Sequence, residues 1–208
     1  MAVAGEKLAM EFGIGTFNCD RHPDDDRPHS ELYQEMIEEV QVAEENNFDC
    51  AWLTEHHFTN SGYMPSVTSG MAALAAVTDD IDIGTNIALG PQYKQPVRLA
   101  EDLAVIDNIS EGRVRFGVGN GYRVEEFEHF NVPLEERAVR LRNLIQILRK
   151  SWADEPLHHE PHEVLQGERS SWEFDGANVT PPPAQDGGPP IIIGGFAPPA
   201  IERAGKMG

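Results

Sequence analysis

The stretch IDIGTNIALGPQYKQPVRLAEDLAVIDNISEGRVRFGVGNG, residues 81–121, holds two strand-length apolar runs around one segment of helical period. IDIGTNIAL (81–89) and RVRFGVGNG (113–121) are the runs, and PVRLAEDLAVIDNIS (96–110) lies between them. This is a strand–helix–strand unit, and the same alternation extends in both directions. Upstream, KLAMEFGIGTF (7–17) reads as a strand. SELYQEMIEEVQVAEENN (30–47) follows as a helix with a serine cap and Leu32, Met36, Val40 and Ala43 on one face. FDCAWLTEH (48–56) is the second strand and VTSGMAALAAVT (67–78) its helix. Downstream come the amphipathic PLEERAVRLRNLIQILRKSW (133–152), the strand PPIIIGGF (189–196) and a helix starting in PPAIERAGKMG (198–208).

Strict alternation, with strands too apolar to leave one face in water, requires a parallel sheet covered by helices. The fold class is therefore α/β, either a barrel or a doubly wound sheet. Strands begin near 7, 48, 81, 113 and 189, which makes five units in 208 residues. A closed (β/α)8 TIM barrel takes about 250 residues. A barrel reading therefore makes residues 1–208 a single domain, the N-terminal part of a TIM barrel, and we expect a fragment. Residues 153–188 are too rich in proline, glycine and acid to be a core element and form an irregular insertion. Within it WEFDGANV (172–179) reads as a hairpin turning at Asp175-Gly176.

The formal net charge of -19, with acid spread along the whole chain, argues against nucleic acid or anionic membrane as a partner. Such acidity suits a salt-rich solution, where screening relieves self-repulsion. No run approaches the roughly 18 apolar residues of a membrane span, and MAVAGEKLAMEF lacks the order of a signal peptide, so a cytoplasmic address is expected. Cys19 and Cys50 are too few for a disulfide scaffold or a metal knuckle and read as reduced thiols packed near strands.

Ligands of parallel α/β proteins bind at the carboxyl ends of the strands. The residues there are Gly13, Gly15 and Phe17; Glu55, His56 and His57; Thr85, Asn86 and Ile87; Gly117, Gly119, Asn120 and Gly121; and Gly194, Gly195 and Phe196. Glycines at three of these ends let the backbone approach a flat ligand. GVGNG lacks the G-x-G-x-x-G spacing of a dinucleotide site. IIIGGFAPPAI suits either a phosphate at a helix start or an ordinary strand-to-helix turn. Adjacent histidines on a strand face opposite ways, so His56 and His57 make a poor metal pair. They are either plain loop residues, or one of them is a general acid or hydrogen-bond donor over a cofactor. HHEPHE (158–163) is broken by Pro161 and looks solvated, so no metal site is expected there.

LTEHHF, IGTNIALGP, QPVRLAEDLAVIDNISEGRVRFGVGNGYRVEEF, ERAVRLRNLIQILRKSW and PPIIIGGFAPPAIERAG together resemble the bacterial luciferase-like flavin monooxygenases, from about residue 8 onward. The resemblance implies a TIM barrel that takes reduced FMN, delivered by a separate flavin reductase, and uses O2 to oxidise a small organic substrate. It implies His56 as the active-site histidine, with His57 supporting it. It also implies a flavin-contacting bend at Asn86-Ile87, often a non-prolyl cis peptide, and a cofactor seat at Gly119, Asn120, Gly121, Tyr122, Gly195, Phe196, Ala197 and Ala200. Bacterial luciferase has an arginine where this chain has Asn120 and a serine where it has Ala197. The phosphate is then expected to rest on backbone N–H groups of Phe196 to Ala200, with Arg123. Two alternatives arise from the same resemblance: a deazaflavin-dependent oxidoreductase that transfers hydride without oxygen, and a non-catalytic remnant acting through association. A homodimer is expected.

Overall fold

The computed structural model describes residues 10–160 and 172–207. Residues 7–9 of the first predicted strand and His162 of the second histidine cluster lie outside them. The elements run β1 (Gly13–Phe17), α1 (His29–Glu45), β2 (Cys50–Leu53), α2 (Val67–Ala75), β3 (Asp82–Thr85), β4 (Ala88–Leu89) and α3 (Pro96–Ile109). They continue with β5 (Val114–Gly119), α4 (Val124–Phe130), α5 (Arg137–Ser151), β6 (Leu157–His159), β7 (Phe174–Ala177), β8 (Ile191–Ile193) and α6 (Pro198–Met207).

β1, β2, β3, β5 and β8 pair in chain order, each parallel to its neighbour. A doubly wound sheet reverses its strand order at a switch point. No reversal occurs among the described strands, so the sheet is an arc of a (β/α)8-type barrel. The predicted third strand is broken in two: the Asn86–Ile87 peptide is cis, and β4 rejoins the sheet beside the end of β5, with Ala88 opposite Val118.

Side chains alternate across the arc. Leu53 faces outward onto α2, where a Cβ at Gly70 would stand 2.5 Å from it. Trp52, next along β2, faces inward, and there is room for its indole because the flanking strands carry Gly13 and Gly84. A Cβ at either would lie 2.2 or 2.4 Å from the ring. The outer core takes Met36 and Val40 from α1, Met71 and Leu74 from α2, Leu99 and Leu103 from α3, and Leu141, Leu144 and Leu148 from α5. The four α1 positions expected from periodicity are the buried ones. No helix among the described residues is long and apolar enough to cross a membrane. Cys19 and Cys50 are free thiols, and burial pushes their pKa values up to about 11 and about 12.

Two local expectations fail. Ser30 is not the cap of α1, which starts at His29 behind Pro28 with no side-chain cap hydrogen bond. Asp175-Gly176 is not a hairpin turn: both residues lie inside β7, which pairs antiparallel with β6, and the link between the two strands falls outside the described residues. A turn dipeptide can sit within a strand when a distant partner supplies the ladder. The other difference is α4, a seven-residue helix closed by Asn131 at φ 52, which periodicity does not reveal. It is too short to show a helical stripe.

Candidate active site

The carboxyl ends of β2, β3, β5 and β8 surround a cavity of about 720 Å³. Of the sequence candidates, His56, Asn86, Ile87, Asn120, Gly121, Tyr122, Gly195, Phe196, Ala197 and Ala200 all line it, joined by Thr54, Glu55 and Arg137. Gly119 does not line it, because the Ile87 side chain lies over that backbone. A Cβ at Gly119 would stand 2.1 Å from Ile87 Cδ1, and one at Gly194 would stand 3.1 Å from Ile87 Cγ2. Beneath, Thr85 Oγ1 donates to Gly117 O at 2.6 Å, where a Cβ on Gly117 would be 1.9 Å from Thr85 O. The glycines thus let the bend at 86–87 lie flat on β5 and β8, with Ile87 as the floor.

His56 and His57 are each held by a different glutamate. His56 Nδ1 lies 2.8 Å from Glu126 Oε1, which also accepts the His57 backbone N–H at 3.0 Å. Glu126 comes from α4, 70 residues away, and is fully buried with Oε2 unpartnered. Arg123 Nη1 stands 3.5 Å from the same Oε1 and donates to His57 O. His57 Nε2 lies 3.0 Å from Glu55 Oε1, and Glu55 Oε2 accepts Leu89 N–H at 2.6 Å, while Tyr93 OH donates to both oxygens. Glu55 therefore ties the end of β2 to β4. Burial first, then the nearby carboxylate, raises the Tyr93 phenol well above its ordinary range, keeping it a neutral donor. Tyr63 and Tyr122 meet the His56 ring edge-on at 4.9 and 5.8 Å, and Tyr122 is largely exposed at the mouth.

On the opposite wall Arg137 lines the cavity, and Arg203 stands behind Asn120. Asn120 is satisfied with its amide nitrogen donating to Arg137 O at 3.2 Å and its oxygen accepting from Arg203 Nη2 at 2.7 Å. Arg203 Nε is buried without a partner, and burial followed by Arg142 and Arg137 holds this guanidinium below the ordinary arginine value. Arg123, expected on this wall, instead lies with Glu126 and His57. The start of α6 also offers fewer donors than expected. Pro198 and Pro199 have no N–H, and the Ala200 and Ile201 N–H groups both go to Ala197 O.

Sequence reasoning missed Glu126, Arg137 and Arg203. GYRVEEF places two glutamates one turn after a strand end, but their pairing is not local. Among the described residues no group of three His, Cys, Asp or Glu is arranged to hold a metal. His158 instead pairs with Asp175 on the exposed edge of the β6–β7 ribbon.

The luciferase-like monooxygenase family matches residues 10–208. The chain is 30% identical over 186 residues to the oxygenase component of the flavin-dependent trigonelline monooxygenase of Acinetobacter baylyi, covering 88% of this chain and 49% of that protein. The crystal structure of monooxygenase RslO1 from Streptomyces bottropensis superposes with a TM-score of 0.77 at 29% identity, over 88% of this chain and 52% of that one. The coenzyme F420 dependent tetrahydromethanopterin reductase of Methanopyrus kandleri shares the fold at 23% identity and a TM-score of 0.70, over 94% and 53%. This chain spans about half the length of the relatives it matches.

Proposed function

Because the chain belongs to the luciferase-like monooxygenase family, we propose that it carries the cofactor seat and catalytic histidine of a flavin-dependent monooxygenase, which oxidises a small organic substrate with O2 and reduced FMN. The observation that carries this reading is His56. It lines a cavity within the roughly 300–1,000 Å³ range of cofactor sites, with Nδ1 engaged by Glu126 and Nε2 free of any protein partner among the described residues. A planar ring fits over Ile87, because the glycines behind it leave the floor flat. Arg137 and Arg203 suit a phosphate: neither has a carboxylate partner among the described residues, in a chain of net charge -19. A phosphate dianion there would offset the burial and the Arg142 and Arg137 charges that weigh on the Arg203 guanidinium.

When bound, reduced flavin supplies the electrons for oxygen chemistry. The chain's own contribution is to hold the ring over Ile87, to anchor the phosphate at the arginine wall, and to present a histidine nitrogen to the reacting region. A separate reductase is the proposed source of reduced flavin. The test is anaerobic titration with reduced FMN, followed by oxygen uptake with candidate aldehydes and alkanes. Binding and substrate-dependent uptake, lost in His56→Ala, are expected. Uptake unchanged in His56→Ala removes that residue's role. Hydride transfer from a reduced deazaflavin without oxygen uptake assigns the deazaflavin reading instead. Binding of neither cofactor, with self-association, assigns the non-catalytic one.

A further inference from the structure

We propose that two buried glutamates lock His56 and His57 in opposite tautomers, so that a neutral His56 offers its Nε2 lone pair to the cavity while His57 is tied off. Glu126 is then a positioning residue for His56, and Glu55 for His57. The functional meaning of this arrangement rests on His56 being the catalytic histidine; the tautomers themselves do not.

Atoms that can only accept decide where the protons sit. Glu126 Oε1 already accepts the His57 N–H at 3.0 Å and faces the Arg123 guanidinium at 3.5 Å, so its other neighbours are donors and this oxygen acts as an acceptor. An oxygen held in that role has no proton to give. The hydrogen in the 2.8 Å contact must therefore sit on His56 Nδ1. A neutral imidazole carries one N–H, so His56 Nε2 is left with a lone pair. His57 is engaged by its other nitrogen. Glu55 Oε1 accepts from Tyr93 OH at 3.2 Å, and Oε2 accepts from both Tyr93 OH and Leu89 N–H. With its phenol held neutral, Tyr93 is a donor there, and the proton of the 3.0 Å contact lies on His57 Nε2. Two neighbouring rings are thus fixed with their N–H groups on different nitrogens.

This pairing also gives a reason for α4. The helix is short, and its buried side is little more than Glu126 and Phe127. Arg123 precedes its first turn, so the helix delivers carboxylate and guanidinium together to the back of His56. Wrong-tautomer imidazole disables a histidine that must accept a proton, as the general logic of oriented histidines requires.

The test uses the cofactor-free full chain labelled with 15N-histidine. Ring nitrogens are read by two-bond 1H–15N correlation at about two pH units above the ordinary histidine value of ~6.5. Backbone-to-ring correlations assign the adjacent pair without substitution. The expected pattern is His56 protonated at Nδ1 and His57 at Nε2. The same tautomer on both rings overturns the proposal. Glu126→Leu should release His56 to a mixture while His57 stays fixed. Glu126→Gln, whose amide oxygen can still accept, should retain the His56 tautomer. An unchanged His56 in Glu126→Leu, or one as fully mixed in Glu126→Gln as in Glu126→Leu, sinks the idea. Flavin takes no part in this measurement, so its outcome and that of the flavin titration are independent.

Discussion

Gly119→Ala tests whether the cavity floor depends on glycines behind Ile87. A Cβ at residue 119 would lie 2.1 Å from Ile87 Cδ1, 3.5 Å from Ile87 Cγ1 and 3.4 Å from Gly194 O. Relaxed carbon contacts are about 3.5–4.0 Å, so the tip of Ile87 must withdraw by roughly 1.5 Å. Retreat toward β8 is blocked, since Gly194 already sits close enough that its own Cβ would be 3.1 Å from Ile87. The open direction is the cavity that Ile87 lines. If Ile87 stayed in place, overpacking would cost about 1–3 kcal/mol of stability. If it swings into the cavity, a similar cost falls on ring binding, and about 1.4 kcal/mol corresponds to a tenfold loss of affinity. We expect roughly tenfold weaker flavin binding with little change in the urea midpoint. Ile87→Ala in the same chain removes the clashing atom, so the double variant should bind better than Gly119→Ala alone, giving a non-additive cycle. Wild-type affinity in Gly119→Ala, or simple additivity in the double variant, would refute the account of the floor.

Arg203→Met should lower affinity for FMN more than for the phosphate-free riboflavin, because it removes a cation beside the proposed phosphate seat; equal losses for the two ligands would show that Arg203 acts through its hydrogen bond to Asn120 and not on the phosphate. Glu44 accepts backbone N–H bonds from Asp79, Asp80 and Ile81 at 2.9, 2.7 and 2.9 Å. Burial raises its pKa, but those three bonds and Arg113 outweigh burial and hold the group below the ordinary carboxylate value. Its stabilisation is therefore full above the unfolded-state pKa and is lost as pH falls through the lower folded value. Glu44→Gln should cost about 1–3 kcal/mol at neutral pH and flatten the acid limb of stability against pH, measured by urea unfolding. Arg113 donates to Ser110 O, Thr78 O and Oγ1, Ile81 O and Ala75 O, closing the end of α2 onto β3 and β5. Arg113→Met should lose about 2–4 kcal/mol, and Arg113→Lys should recover only part of it, because an ammonium cannot reach all of these acceptors.

Periodicity and composition were enough to determine the parallel α/β class, the order of the units and the rim of strand ends, where Glu55, His56, Asn86, Ile87, Asn120, Gly121, Gly194, Gly195 and Phe196 meet; the family resemblance added Tyr122, Ala197 and Ala200. Those properties are local: apolar runs bury themselves, and a parallel sheet gathers the residues just past each strand at one face. LTEHHF could name two histidines at that rim but not their partners. Glu126 reaches His56 across 70 residues through a helix too short to leave a pattern, and Arg203 meets Asn120 from another unit altogether. Gly119 reads as a site glycine in GVGNG, while packing puts it under Ile87, where it shapes the site without lining it. GYR points to Arg123 as the cation beside the phosphate, yet the fold sets Arg123 beside Glu126 and turns Arg137 to the cavity. Which groups share a site is set by how the arc brings the strand ends together, and the energies that matter there act over a few ångströms between residues far apart in the chain.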